Sequence, residues 1–160
     1  MTGMRNGSKT KKLKVKAVSD LLSDIYGSIP WKPRYNAAEE LVYTILSQHT
    51  SDINSERAFH NLWAVFGDLD RIADADVDDI EVAIRRGGLS KTKAPRIKSI
   101  LNEIREELGS FDLSFLAEMP LKEAKAWLIN LKGVGPKTAA IILCFSFGMP
   151  AMPVDTHIYR

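Results

Sequence analysis

The most informative segment of this chain is Leu131-Lys132-Gly133-Val134-Gly135-Pro136-Lys137-Thr138-Ala139. A helix that ends near Leu131 meets a Gly-x-Gly turn and restarts at once, with Pro136 suited to the first helical position. Two glycines one residue apart let the backbone turn sharply and approach another molecule without a Cβ in the way. The stretch therefore predicts two helices joined by a tight hairpin.

The N–H groups of this hairpin, at Gly133, Val134 and Gly135, are expected to converge on an anion together with the free N–H groups of the new helix. In a nucleic-acid-binding protein that anion is a backbone phosphate, and such a contact positions the protein without reading base sequence. A plain helix-turn-helix connection can also carry Gly-x-Gly, so the meaning of the hairpin depends on the residues that follow.

Helical periodicity runs through the rest of the chain, and strand signals are nearly absent. Asn36 followed by Glu39 resembles a capping box before the apolar stripe that contains Leu41 and Ile45. Later stripes stop at Gly67 and Gly109. The sequence predicts an all-α protein of roughly nine or ten short helices.

Three segments are expected along the chain. Residues 1–14 form a basic tail predicted to be disordered, residues 15–35 an N-terminal helix and a proline-containing connector, and residues 36–160 the main helical domain.

Composition fits a soluble globular protein, with 45% apolar and 26% charged residues and a net charge of +2. No apolar run is long enough for a membrane span or a signal peptide, which predicts an intracellular protein, in the cytoplasm or at the nucleoid, with no membrane partner. The single cysteine, Cys144, excludes an internal disulfide and a cysteine-based metal site within the chain, and we expect it to be a buried, inert thiol.

Basic residues cluster around Gly87-Gly88, where a tight turn could present them together. The members of this cluster are Arg85, Arg86, Lys91, Lys93, Arg96 and Lys98. Solvated surface is the alternative interpretation; within the cluster we predict Lys93 as a DNA contact.

After the apolar helix that follows the hairpin, a Gly- and Pro-containing turn leads into Val154-Asp155-Thr156-His157. LKGVGPKTAAIIL followed by MPVDTHIYR resembles the helix-hairpin-helix (HhH-GPD) superfamily of DNA glycosylases, and endonuclease III in particular. A weaker likeness covers ILSQHTSDINSERAF and GGLSKTKA. The resemblance implies a multi-helix, barrel-like domain of the endonuclease III type.

The resemblance also implies the roles of several residues. Lys137 matches the nucleophile of the bifunctional members, and Asp155 matches their aspartate. Leu89 matches a wedge that enters the duplex beside the lesion, and its position beside two glycines makes it a poor candidate for the core. Gln48 and His49 straddle the place of a Gln that fills the vacated space, with capping of the helix end as the alternative.

Two departures from the family pattern stand out. Lys132 replaces the usual hairpin proline, and the chain stops at Arg160, whereas family members continue for several helices and usually end in four cysteines that hold an iron–sulfur cluster. We therefore expect a domain truncated at its C-terminal end, without a cofactor or metal of its own; a 4Fe-4S cluster is expected only in a longer form.

The resemblance implies a base-excision DNA glycosylase with AP-lyase activity, acting as a monomer on double-stranded DNA that contains a damaged base or an abasic site. Oxidised pyrimidines are the first substrate expectation, while 8-oxoguanine and methylcytosine remain open. Two alternatives stay beside this hypothesis: a non-catalytic helix-hairpin-helix DNA-binding module, and an inactive fragment that only packs against missing helices.

Overall fold

The computed structural model describes residues 4–27, 30–155 and 158, with side chains from residue 10 onward. It contains eight α-helices in the described ranges, and no strand occurs there, which confirms the all-α prediction. The helices are α1 Met4–Tyr26, α2 Ala37–Ser47, α3 Asp52–Phe66, α4 Leu69–Asp74, α5 Val77–Ile84, α6 Ser90–Leu108, α7 Leu121–Asn130 and α8 Pro136–Phe147. Two 3₁₀ turns lie at Arg85–Gly87 and Ser114–Glu118.

The chain divides into two compact units, with the boundary between Trp31 and Lys32. The first unit consists mainly of α1, which begins at Met4. Residues 4–14 are thus helical in the structure, whereas the sequence predicted a disordered tail over residues 1–14; residues 1–3 of that tail lie outside the described part of the chain. Lysine is a good helix former, and the Lys16 Nζ lies 2.7 Å from the Asp20 carboxylate one turn later. In the described part of the chain, no helix has the length and apolar character that a membrane span needs.

In the second unit, the start of α2 is fixed by the capping box expected from the sequence. The Glu39 N–H donates to the Asn36 side chain at 2.9 Å, and the Asn36 N–H donates to the Glu39 carboxylate at 3.3 Å. The predicted glycine stops also hold, since Gly67 ends α3 and Gly109 ends α6.

Helix α2 is the central helix of this unit. It packs against α3, α6 and α8, and its side chains Leu41, Ile45 and Leu46 are fully buried. Helix α8 also packs against α7, while α6 packs against α4 and α5. This packing brings the C-terminal end of α2 and the N-terminal end of α8 to one cavity, which is the candidate site described below.

Candidate active site and DNA-contact surface

The hairpin has the predicted form. Helix α7 ends at Asn130, and α8 begins at Pro136 with Gly135 as its N-cap. Gly133 has φ +86°, a left-handed conformation that favours glycine. Gly135 has φ −93°, and a Cβ added there would meet nothing within 4 Å. The backbone at Gly135 is therefore open to another molecule.

Two hairpin amides already have partners. The Lys132 N–H donates to the Glu103 carboxylate at 3.1 Å, and the Val134 N–H donates to the Leu131 carbonyl at 3.0 Å. The Val134 side chain is buried in the core at 6% exposure. Val134 thus anchors the hairpin, and its N–H does not serve the anion contact expected from the sequence.

The remaining anion-binding candidates are backbone groups around the start of α8. Gly135, as the N-cap, makes no side-chain capping bond, and Pro136 has no N–H to donate. The first bond of α8 runs from the Ala139 N–H to the Gly135 carbonyl, so the N–H groups of Lys137 and Thr138 belong to the unsatisfied first turn. This end of α8 also carries the positive end of the helix dipole.

Lys137 projects from the first turn of α8, and its Nζ forms an ion pair with Oδ2 of Asp155. Both side chains are partly exposed, at 49% for Lys137 and 37% for Asp155. The chain reverses at Gly148, where φ is +63°, and returns through an irregular segment to Asp155. The structure therefore brings together the two residues that the resemblance marks as catalytic.

The pair borders a cavity of about 360 Å³, within the size range of small-molecule sites. Its lining comes from the end of α2, the start of α8 and the segment that carries Asp155: Thr44, Ser47, Gln48, His49, Lys137, Thr138, Ile141 and Asp155. Sequence reasoning missed four of these, Thr44, Ser47, Thr138 and Ile141. Helical spacing could have found Ile141, because it lies one turn after Lys137 on the same face.

Two predicted duplex contacts have left-handed backbones. His49 has φ +54° and Leu89 has φ +52°, and they are the non-glycine residues with positive φ in the described chain. Both side chains are exposed, Leu89 at 55%, which confirms that Leu89 is not a core residue. Gln48 is the C-cap of α2, and its Oε1 accepts a hydrogen bond from Arg96 at 2.8 Å.

Lys93 differs from its predicted role as a DNA contact. It is 4% exposed, and its Nζ donates to the Leu46 carbonyl at 2.7 Å and to the Gly87 carbonyl at 3.0 Å. Burial lowers the pKa of Lys93 below its ordinary value. Its amine is buried between two turns of the chain, so it is not presented to a phosphate.

Sequence reasoning also missed how Arg96 is used. Its guanidinium donates to Gln48 Oε1 and to the Gly133 carbonyl, so it joins α6 to both the end of α2 and the hairpin. No local sequence pattern predicts these hydrogen bonds, because their partners lie far away in sequence.

Among the described residues, no group of three or more His, Cys, Asp or Glu side chains is placed so that it could hold a metal ion. A four-cysteine cluster does not fit this chain, because Cys144 is its only cysteine, and it is half-buried rather than fully buried.

The profile of the HhH-GPD superfamily base excision DNA repair proteins matches residues 42–160, a range that includes the hairpin, Lys137 and Asp155. This chain belongs to that superfamily. The HhH-GPD chain is 44% identical over 120 residues to a candidate DNA glycosylase of Arabidopsis thaliana, covering 75% of this chain and 41% of the relative. It is 37% identical over 120 residues to endonuclease III of Thermotoga maritima, covering 75% of this chain and 52% of the relative.

Among solved structures, a trapped covalent intermediate of endonuclease III with DNA has the same fold. The TM-score is 0.69 at 24% identity, with 93% of this chain and 66% of that chain covered. The HhH-GPD chain thus spans about half the length of the curated relatives that it matches.

Proposed function

We propose that this HhH-GPD chain carries the reaction centre of a DNA glycosylase with AP-lyase activity. The observation that carries the proposal is the ion pair of Lys137 with Asp155, which borders a cavity. Lys137 lies in the first turn of α8, the helix that follows the hairpin. A lone lysine in a first helical turn is usually surface charge. Here the lysine is held by a carboxylate beside a backbone that is open at Gly135, and this combination favours a catalytic role.

In the proposed reaction, the hairpin holds a DNA phosphate and a damaged nucleotide leaves the stack to enter the cavity. The reaction needs an unprotonated amine, and the Asp155 carboxylate is close enough to take the proton from Lys137. The amine attacks the sugar C1′, the glycosidic C1′–N bond breaks, and the base leaves with the electron pair.

Opening of the sugar ring then gives a Schiff base between C1′ and Lys137. Loss of a proton from C2′ expels the 3′ phosphate by β-elimination, and water hydrolyses the imine to restore the amine. Once the Lys137 proton has passed from Asp155 to solvent, the Asp155 carboxylate also stabilises the positive charge that develops on the sugar during attack.

The proposed partner is double-stranded DNA with a damaged base or an abasic site, bound by one copy of the chain, in an intracellular compartment that contains DNA. An oxidised pyrimidine is the first candidate substrate, supported by the likeness to a protein named endonuclease III. The 8-oxoguanine and methylcytosine alternatives are distinguished by presenting each base in the same duplex and measuring base release.

Lys137→Gln tests the proposal. This variant should lose base release and strand scission while its affinity for an abasic-site duplex stays within about threefold, since backbone amides do the holding. Lys132→Gln is the matched control, because Lys132 lies in the same hairpin and its side chain is exposed. Equal loss in the control, or undiminished turnover in Lys137→Gln, contradicts the catalytic assignment; binding without turnover by the unsubstituted chain favours a DNA-binding module.

A further inference from the structure

Lys93 is buried between two turns of the chain that each contain a left-handed residue, His49 in one and Leu89 in the other. Its Nζ binds the Leu46 carbonyl, three residues before His49, and the Gly87 carbonyl, two residues before Leu89. One nitrogen holds both oxygens, so the two carbonyls are close neighbours although they lie on separate segments of the chain. The same ammonium thus connects the turn of His49 with the turn of Leu89.

Neither carbonyl belongs to a loosely held segment. Leu46 lies in the last turn of α2, where carbonyls lack partners within the helix, and its side chain is fully buried. Gly87 ends the 3₁₀ turn that follows α5, and a Cβ added there would lie 2.8 Å from Cβ of Ala58 in α3. The Asn61 side chain also holds the Ala83 carbonyl in α5 at 2.6 Å. Lys93 therefore links two segments that are each fixed against the core.

A buried ammonium is a costly way to fill space, since an apolar side chain of similar length avoids the loss of hydration. Left-handed non-glycine residues are also unfavourable and persist when their surroundings hold them. Both costs occur together here, directly behind two exposed side chains at the proposed DNA surface.

We propose that Lys93 is a positioning residue that fixes the spacing between the His49 and Leu89 turns, so that both side chains enter the duplex as one unit. The proposal rests on the proposed function, because it assumes that this surface meets DNA. It assigns Lys93 no contact with DNA. It also makes His49 and Leu89 interdependent: a change in one turn alters what the other contributes.

The test uses Lys93→Met, which keeps most of the side-chain length and removes the donors. The matched control is Lys98→Met in the same helix, because the Lys98 amine donates to the Ala75 carbonyl at the end of α4 at 2.5 Å. The probe is a duplex that contains a tetrahydrofuran abasic analogue next to 2-aminopurine, whose fluorescence rises when its base stack opens. This analogue cannot be cleaved by the proposed chemistry.

At saturating protein, Lys93→Met should lose most of the fluorescence rise while its affinity changes less than about threefold, because the hairpin still holds the phosphate. Lys98→Met should keep the rise. Thermal unfolding of all samples shows whether each variant is folded. A full rise with folded Lys93→Met, an equal loss in Lys98→Met, or no rise with the unsubstituted chain overturns the proposal.

A second measurement decides the matter if Lys93→Met does not fold. In the otherwise unsubstituted chain, His49→Ala, Leu89→Ala and the double variant should give non-additive losses of the fluorescence rise, since the two turns act as a unit. Additive losses would show that the two turns act independently, which overturns the proposed role of Lys93. Duplex opening that depends on Lys93 without any base release would instead refute only the proposed chemistry.

Discussion

Replacement of each hairpin glycine by alanine separates the contact with DNA from the conformation of the hairpin itself. Gly133 has φ +86°, and its new Cβ would lie 3.0 Å from Nε of Arg96, a flexible side chain that can move. The left-handed backbone then sets the cost, about 1–2 kcal/mol for a residue with a Cβ. Gly133→Ala should therefore lower Tm by roughly 2–8 °C.

Gly135→Ala should behave differently. Its φ of −93° suits any residue, and nothing lies within 4 Å of the added Cβ, so Tm should change by less than about 2 °C. The methyl group would instead stand where a phosphate approaches. Loss of one hydrogen bond to a charged group is worth about 1.5–3 kcal/mol, which corresponds to a rise in Kd of about 10- to 150-fold.

The assay is fluorescence anisotropy with an abasic-site duplex and with an undamaged duplex of the same sequence, and unfolding is followed on the same samples. Both duplexes should weaken by a similar factor with Gly135→Ala, because phosphates carry no base identity. If folded Gly135→Ala binds like the unsubstituted chain, the hairpin is only a connector. If it changes the preference between duplexes, Gly135 lies at the base pocket and our placement of the phosphate is wrong.

Three further predictions concern single side chains. Asp155→Asn should slow base release by about 10²-fold at unchanged affinity, as expected for loss of one electrostatic partner; equal single-turnover rates would count against it. Arg96→Met should reduce the slope of log K for DNA binding against log salt concentration by about 1. The Arg96 guanidinium lies at the hairpin and binds neutral oxygens there, so its charge is available to a phosphate; an unchanged slope would place Arg96 outside the DNA contact. Asn36→Ala should cost about 1 kcal/mol in the free energy of unfolding, through loss of the α2 capping box; denaturant unfolding checks it, and no change would mean that the box is not stabilising.

Local patterns in the sequence predicted the helices well. Helix starts and stops depend on contacts within one or two turns of the chain, so they can be predicted without knowing the fold. This holds for the capping box of Asn36 and Glu39, the stops at Gly67 and Gly109, and the helix start at Pro136. The pairing of Lys137 with Asp155 was also anticipated, but only because a family pattern supplied the long-range contact that spacing alone does not give.

The failures share a physical cause. Lys93 looks like one more cation of a surface cluster, yet tertiary packing buries it against Leu46, 47 residues away. Val134 looked like part of an anion site because its neighbours are glycines, whereas its side chain packs in the core and its N–H turns back to Leu131. Tertiary packing partners determine which side of a helix or turn faces the core, and the local sequence does not identify those partners.

Covalent trapping on DNA is the sharpest test of Lys137 as the nucleophile. In the proposed reaction the Schiff base joins C1′ of an abasic site to Nζ of Lys137, and borohydride reduces it to a stable amine. Peptide mapping of the trapped complex by mass spectrometry then identifies the attached residue. We expect a single adduct, on Lys137, that is abolished by Lys137→Gln. An adduct on Lys132 or at the N-terminus, or no adduct with DNA that the chain binds, would refute the catalytic role of Lys137.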